Sequence, residues 1–135
     1  MLRDRAGGRL ILVVDDDPDI LQTLALCLST EGYRVVTSTN GREAIDQLGR
    51  ETPAAVLLDL MMPVMDGWQF ISEIENRGMR RMPILILSAD RAVQGHATKL
   101  GAEGHLAKPF DLEELLGKVH QLTGGPNGGG QRATG

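Results

Sequence analysis

Apolar runs without polar alternation recur along this chain, and each ends abruptly in polar residues. Leu10-Ile11-Leu12-Val13-Val14 gives way to Asp15-Asp16-Asp17-Pro18-Asp19, the run from Ala54 to Leu58 to Asp59, and Ile84-Leu85-Ile86-Leu87 to Ser88-Ala89-Asp90. Such runs predict strands buried on both faces of a sheet. Between them the spacing turns helical. Asp17 is placed to cap a helix with Pro18 at its first position, Ile20, Leu21, Leu24, Ala25 and Leu28 form its apolar stripe, and Gly32 stops it. Tyr33 to Thr37 predicts a short strand. Asn40 predicts the cap of a second helix with Ala44, Ile45 and Leu48 inward, ended by Thr52-Pro53. A third helix follows Asp66-Gly67 with Phe70, Ile71 and Ile74 inward and closes near Gly78; Trp68 reads as partial core. A weakly patterned helix is expected from Arg91 to Leu100, then a strand from His105 to Ala107 ended by Lys108-Pro109-Phe110. Asp111 caps a last helix whose stripe is Leu112, Leu115, Leu116, Val119 and Leu122. Five strands alternating with five helices predict an α/β fold, a doubly wound five-stranded parallel sheet with helices on both faces.

Composition sharpens this picture in three respects. Hydrophobic residues make up 41% of 135 positions but aromatics only 3%, so one domain with an aliphatic core is expected. The formal charge of −4 offers no basic surface for a phosphate backbone, which disfavours direct nucleic-acid binding. Cys27 is the single cysteine, which excludes an intrachain disulfide and reads as a small apolar packer in the first helix. No secretory signal or membrane span is legible, so the chain reads as cytoplasmic with no membrane partner. Residues 1–8 read as an N-terminal extension and 9–123 as the domain. Residues 124–135, with six glycines in twelve, read as a disordered tail.

The chemistry lies where the strands end. In open α/β sheets ligands bind beyond the carboxyl ends of the strands, and there the pattern delivers Asp15 and Asp16, then Asp59, then Ser88 and Lys108. Three crowded carboxylates repel one another unless a cation neutralises them. An all-oxygen set without His or Cys suits Mg²⁺, which takes one or two carboxylates together with waters and a phosphate oxygen. A lysine and a hydroxyl complete the parts for phosphoryl transfer, in which a carboxylate can serve as the nucleophile.

On these residues the sequence, from Arg9 to about Leu122, resembles the receiver domains of two-component response regulators, the CheY-like superfamily. The resemblance rests on Asp15 and Asp16 after the first strand, on Asp59 followed by Met62-Pro63 and Asp66-Gly67, on Ser88-Ala89, and on Lys108-Pro109-Phe110. It implies a flavodoxin-like sheet of order 2-1-3-4-5. It also implies a signalling switch rather than an enzyme, in which Asp59 accepts a phosphoryl group from a sensor histidine kinase or phosphotransfer protein. Asp15, commonly through a water, and Asp16 would hold Mg²⁺ with Asp59 and the carbonyl of Met61. Ser88 and Lys108 would meet phosphoryl oxygens, and the Lys108-Pro109 bond would be cis. Ser88 and His105 would form the switch pair, with His105 where the family usually has Tyr or Phe. The output face would comprise the fourth helix, last strand and fifth helix, and a homodimer formed on phosphorylation is compatible with it. The downstream target is not legible.

Rival readings are weaker. Asp15-x-Asp17-x-Asp19 has the rhythm of a calcium loop, but its required glycine is Ile20 and its terminal acid Leu26. A haloacid dehalogenase-type phosphatase would make Asp15 the nucleophile, yet Pro18 starts a helix at once, no cap segment exists and Asp59 is left without a role. A receiver-like module that has lost phosphorylation is opposed by the filled motif positions. His96 and His120 read as surface, Met61, Met62 and Met65 as loop packing apart from the Met61 carbonyl, and Asp17 and Asp19 as capping and first-turn charges.

Overall fold

Capped helices and short strands alternate through residues 8–80, 82–89 and 101–127, the residues described by the computed structural model. The strands are β1 (Leu10–Val14), β2 (Arg34–Ser38), β3 (Ala55–Asp59), β4 (Ile84–Ser88) and β5 (Gly104–Ala107). The helices among the described residues are α1 (Pro18–Thr30), α2 (Gly41–Arg50), α3 (Gly67–Asn76) and α4 (Leu112–Thr123). The helix expected over Arg91 to Leu100, with His96, and the neighbouring Asp90 lie outside the described residues.

All strand pairs are parallel, in the order β2-β1-β3-β4-β5, as expected. Alternation along the strands splits the core into two layers. Ile11, Val13, Ala55, Leu57, Leu85 and Leu87 face Leu21, Leu24 and Leu28 of α1 and Leu115 and Val119 of α4. Leu12, Val14, Val56, Leu58, Ile84 and Ile86 face Ala44, Ile45 and Leu48 of α2 and Phe70, Ile71 and Ile74 of α3. β1, β3 and β4 are buried at every position, which is why their sequences show no alternation.

Asp17, Asn40 and Asp111 cap as read, each accepting a backbone N–H of its own helix. Asp66, read only as part of a turn, does the same and forms a reciprocal pair with Gln69. Two expectations need correction. β2 starts one residue later than expected because Tyr33 is drawn into the α1 layer. Ile20 and Leu112 are at the surface ends of their stripes, Ile20 half-buried and Leu112 exposed, because the first turn of each helix overhangs the sheet. The described chain continues past α4 to Asn127. Gly124 takes the left-handed conformation that ends α4 (φ 83°), and the chain then folds back so that Gly125 is buried and Asn127 bridges to Gly8. Hydrogen bonds, not apolar content, hold this segment, so glycine counting does not reveal it.

Candidate functional site

Sheet register brings the chemistry together. Val14 pairs with Leu58, so Asp15 emerges level with Asp59 at the upper edge of the two central strands. Asp59 pairs with Leu87 and Ser88 with Ala107, so Ser88 stands beside Asp59 and Lys108 follows directly beyond Ser88. The backbone N–H of Lys108 extends this ladder by donating to the Ser88 carbonyl at 2.8 Å. Asp15 is fixed in the same way, its N–H donating to the Ser38 carbonyl at 3.1 Å.

The side chains converge. Asp15, Asp16 and Asp59 can each offer a carboxylate oxygen such that all three lie within 4.8 Å of one another; Asp15 and Asp59 are buried and Asp16 is exposed. Lys108 Nζ donates to Asp15 Oδ2 at 2.8 Å and lies 3.6 Å from Asp59 Oδ2, beyond a hydrogen bond. Asp15 Oδ1 accepts the N–H of Asp17 at 2.9 Å, and Asp59 Oδ1 accepts the N–H of Met61 at 3.2 Å. Burial first, and the neighbouring Asp15 charge second, push the Asp59 carboxyl up to about 6; the Met61 N–H and Lys108 oppose that rise.

These residues fit a divalent cation. Three carboxylates face one ammonium among the described residues, and two unit charges at 4.8 Å repel by roughly 3 kcal/mol at an effective dielectric constant of about 20. The set is all oxygen, with an exposed member, Asp16, facing solvent, which suits a hard ion that keeps waters. Chemically the arrangement offers a buried carboxylate, an ammonium within reach of any group attached to it, and room for a neutralising ion.

Other site residues fall as follows. Ser88 is buried at the end of β4. Met61 is exposed beside Asp59. His105 is exposed on β5 opposite Ile86. The Lys108-Pro109 bond is cis. Sequence reading missed several supports. Val64 sits at φ 66°, within a tight turn in which Met65 N–H donates to the Pro63 carbonyl at 2.7 Å, a conformation rare for a β-branched residue. Gly67 is required by close approach, since a Cβ there would lie 2.5 Å from Leu60 Cδ2 and 2.9 Å from the Asp59 carbonyl oxygen; the Asp-Gly pair was its visible signal. A groove of about 450 Å³ opens beside Lys108, walled by Asp19, Ile20, Thr23, Pro109 and Phe110.

Comparison with known proteins gives one answer. The family profile described as the response regulator receiver domain matches residues 11–120. The response regulator MprA of Mycolicibacterium vanbaalenii is 42% identical over 114 residues, 83% of this chain and 49% of that protein, and MprA of Mycobacterium leprae is 40% identical over the same length. The chain thus spans about half the length of these relatives. Among solved structures, chemotaxis protein CheY4 of Vibrio cholerae is 31% identical with a TM-score of 0.77, over 84% of this chain and 98% of that one. The receiver domain of sensor histidine kinase PA1611 of Pseudomonas aeruginosa, described with a magnesium ion coordinated in its active site cleft, is 34% identical with a TM-score of 0.77, over 87% and 98%. With the profile covering most of the chain and the acids, serine and lysine gathered at one edge, this chain belongs to the response regulator receiver domain family.

Proposed function

We propose that the protein is a phosphorylation switch in which Asp59 takes a phosphoryl group from a histidine kinase or phosphotransfer protein. The observation that carries this is the unequal engagement of the two buried acids. Both oxygens of Asp15 are hydrogen-bonded, one to Lys108 and one to the Asp17 N–H, whereas Asp59 Oδ2 stands 3.6 Å from Lys108, the longer of that ammonium's two carboxylate contacts. This also disfavours Asp15 as a nucleophile, and with it the phosphatase reading.

The chain's own residues then divide the work. The ionised Asp59 oxygen attacks phosphorus, an O–P bond forms, the donor's P–N bond breaks, and the departing imidazole takes a proton from solvent. Lys108, already between Asp15 and Asp59, pairs with a phosphoryl oxygen, and the Ser88 hydroxyl donates to another. Asp15, Asp16, Asp59 and the Met61 carbonyl would hold Mg²⁺, which when bound neutralises charge on the transferring oxygens. The groove beside Lys108 suits an apolar side chain of the donor protein. Output passes through residues 91–100, β5 and α4, with His105 turning inward as a neutral imidazole, to an unidentified target or a second copy of the chain. No helix of the described residues is long and apolar enough to cross a membrane.

Incubation with acetyl phosphate and Mg²⁺, followed by intact mass measurement, tests the assignment. One phosphate should be added, stable to acid and labile to base. Equal labelling of Asp59→Asn would overturn it.

A further inference from the structure

The last helix is tied to the first strand at both ends. At the upper end Lys108, three residues ahead of the cap Asp111, donates to Asp15 Oδ2 at 2.8 Å. At the lower end Arg9, just ahead of β1, donates from its guanidinium to the carbonyls of Thr123 and Asn127 and from its backbone N–H to the Pro126 carbonyl at 2.8 Å. Thr123 completes this latch: its buried hydroxyl lies 3.3 Å from the Tyr33 hydroxyl and accepts the N–H of Gly125 at 3.2 Å. The two struts match in length, since the five residues of β1 span roughly 17 Å and the twelve of α4 roughly 18 Å. Strand, upper pair, helix and latch therefore form a closed ring.

In a closed ring each tie holds the partners of the other at high effective concentration, so the two are coupled, and the coupling is reciprocal. The backbone of Lys108 is independently held by Ser88, so the latch acts on the turn 108–111 and on the reach of the Lys108 side chain. Resting on the metal-site reading above, we propose that Arg9 is a positioning residue for Lys108. The latch favours the Lys108–Asp15 pair, which competes with a divalent ion for Asp15 Oδ2. Metal binding and the closed latch thus oppose each other.

Two measurements test this: amide hydrogen exchange at Gly124 to Asn127, and Mg²⁺ affinity from Trp68 fluorescence or backbone resonances. Without metal, Lys108→Met should speed exchange of the Gly125 amide by roughly threefold, a coupling below the usual allosteric range; unchanged exchange overturns the proposal. Saturating Mg²⁺ should speed the same amide in the wild type. Arg9→Ala should tighten Mg²⁺ binding by a similar factor, with Arg9→Lys between it and the wild type. Thr123→Val breaks the latch by a second route where Arg9→Ala does not fold. A lower melting temperature with unaltered Mg²⁺ affinity would make Arg9 a staple without influence on the site, overturning the proposal. A wild type that binds no Mg²⁺ defeats the metal-site reading instead, and the metal-free exchange experiment still decides the coupling.

Discussion

The two ends of the sheet are built on opposite terms. At the upper end like charges meet: Asp15 and Asp59 are buried together, Asp16 stands close by, and a β-branched residue, Val64, holds a left-handed backbone. At the lower end Arg9, Thr123 and Tyr33 engage one another and the returning chain through hydrogen bonds. One end leaves charge and backbone conformation unrelieved where a ligand can relieve them, and the other is closed by the chain itself. The difference teaches which end carries function: frustration that a bound group would remove marks a site, whereas satisfied ties mark a support.

The comparison can be broken most severely through Asp59. Asp59→Asn should abolish phosphate incorporation from acetyl phosphate, while Ser88→Ala should slow it without removing it, both read by mass spectrometry over time. Labelling rates of the wild type should also fall at acidic pH as the Asp59 carboxyl takes up its proton, and bound Mg²⁺ should move that fall below the metal-free value of about 6.

A second measurement tests whether the upper end is strained by charge. Because the Asp59 carboxyl is raised from 3.8 to about 6, the folded state keeps a proton that the unfolded chain has already lost between those values. Stability contributed there is present below the unfolded value and falls as pH rises through the window, by roughly 3 kcal/mol in all. In chelator, urea melts of Asp59→Asn should gain on the wild type by about that amount from below pH 4 to pH 7, and Mg²⁺ should narrow the gap. Parallel pH profiles would remove the claim that this end is under-compensated.

The lower end should respond in the contrary sense. Ending the chain at Thr123 removes the acceptors on Pro126 and Asn127 and the Gly125 donor, each worth about 1 kcal/mol net, so a loss of about 3 kcal/mol is expected in chemical denaturation. The smallest effect sharpens the contrast again at the top. Val64 is exposed and packs little, so Val64→Gly should stabilise the protein by about 1 kcal/mol by relieving the left-handed backbone. A loss on that substitution would show that the turn is not strained.

Much of this was legible in the chain because it is written in local patterns. Unbroken apolar runs such as Leu10 to Val14 announce strands covered on both faces, and Asp17, Asn40 and Asp111 announce helix starts through a side chain acting on the next turn. The candidate site was legible for the same reason, since each of its members ends a recognisable strand. Illegible features depend on partners far away in sequence. Arg9 reads as an unremarkable basic residue until Thr123 is seen against it, 114 positions later. Residues 124–127 read as tail because glycine-rich stretches bury little, yet backbone hydrogen bonds to Gly8 and Arg9 place them. Ile20 followed the stripe of its helix, but the helix overhangs the sheet and leaves it as a groove wall.

The sequence by itself determined the kinds of element, their order, and which carboxylates, hydroxyl and ammonium would leave the strands at one edge, because side-chain periodicity and capping act over a few residues. Only the tertiary structure decided how those groups differ. Register set Asp15 level with Asp59, burial raised the Asp59 carboxyl, Lys108 was drawn to Asp15 in preference to Asp59, and the far end of the last helix was closed on Arg9. Distances of a few ångströms between residues many positions apart, and the loss of water around them, are properties of packing, and no local pattern encodes them.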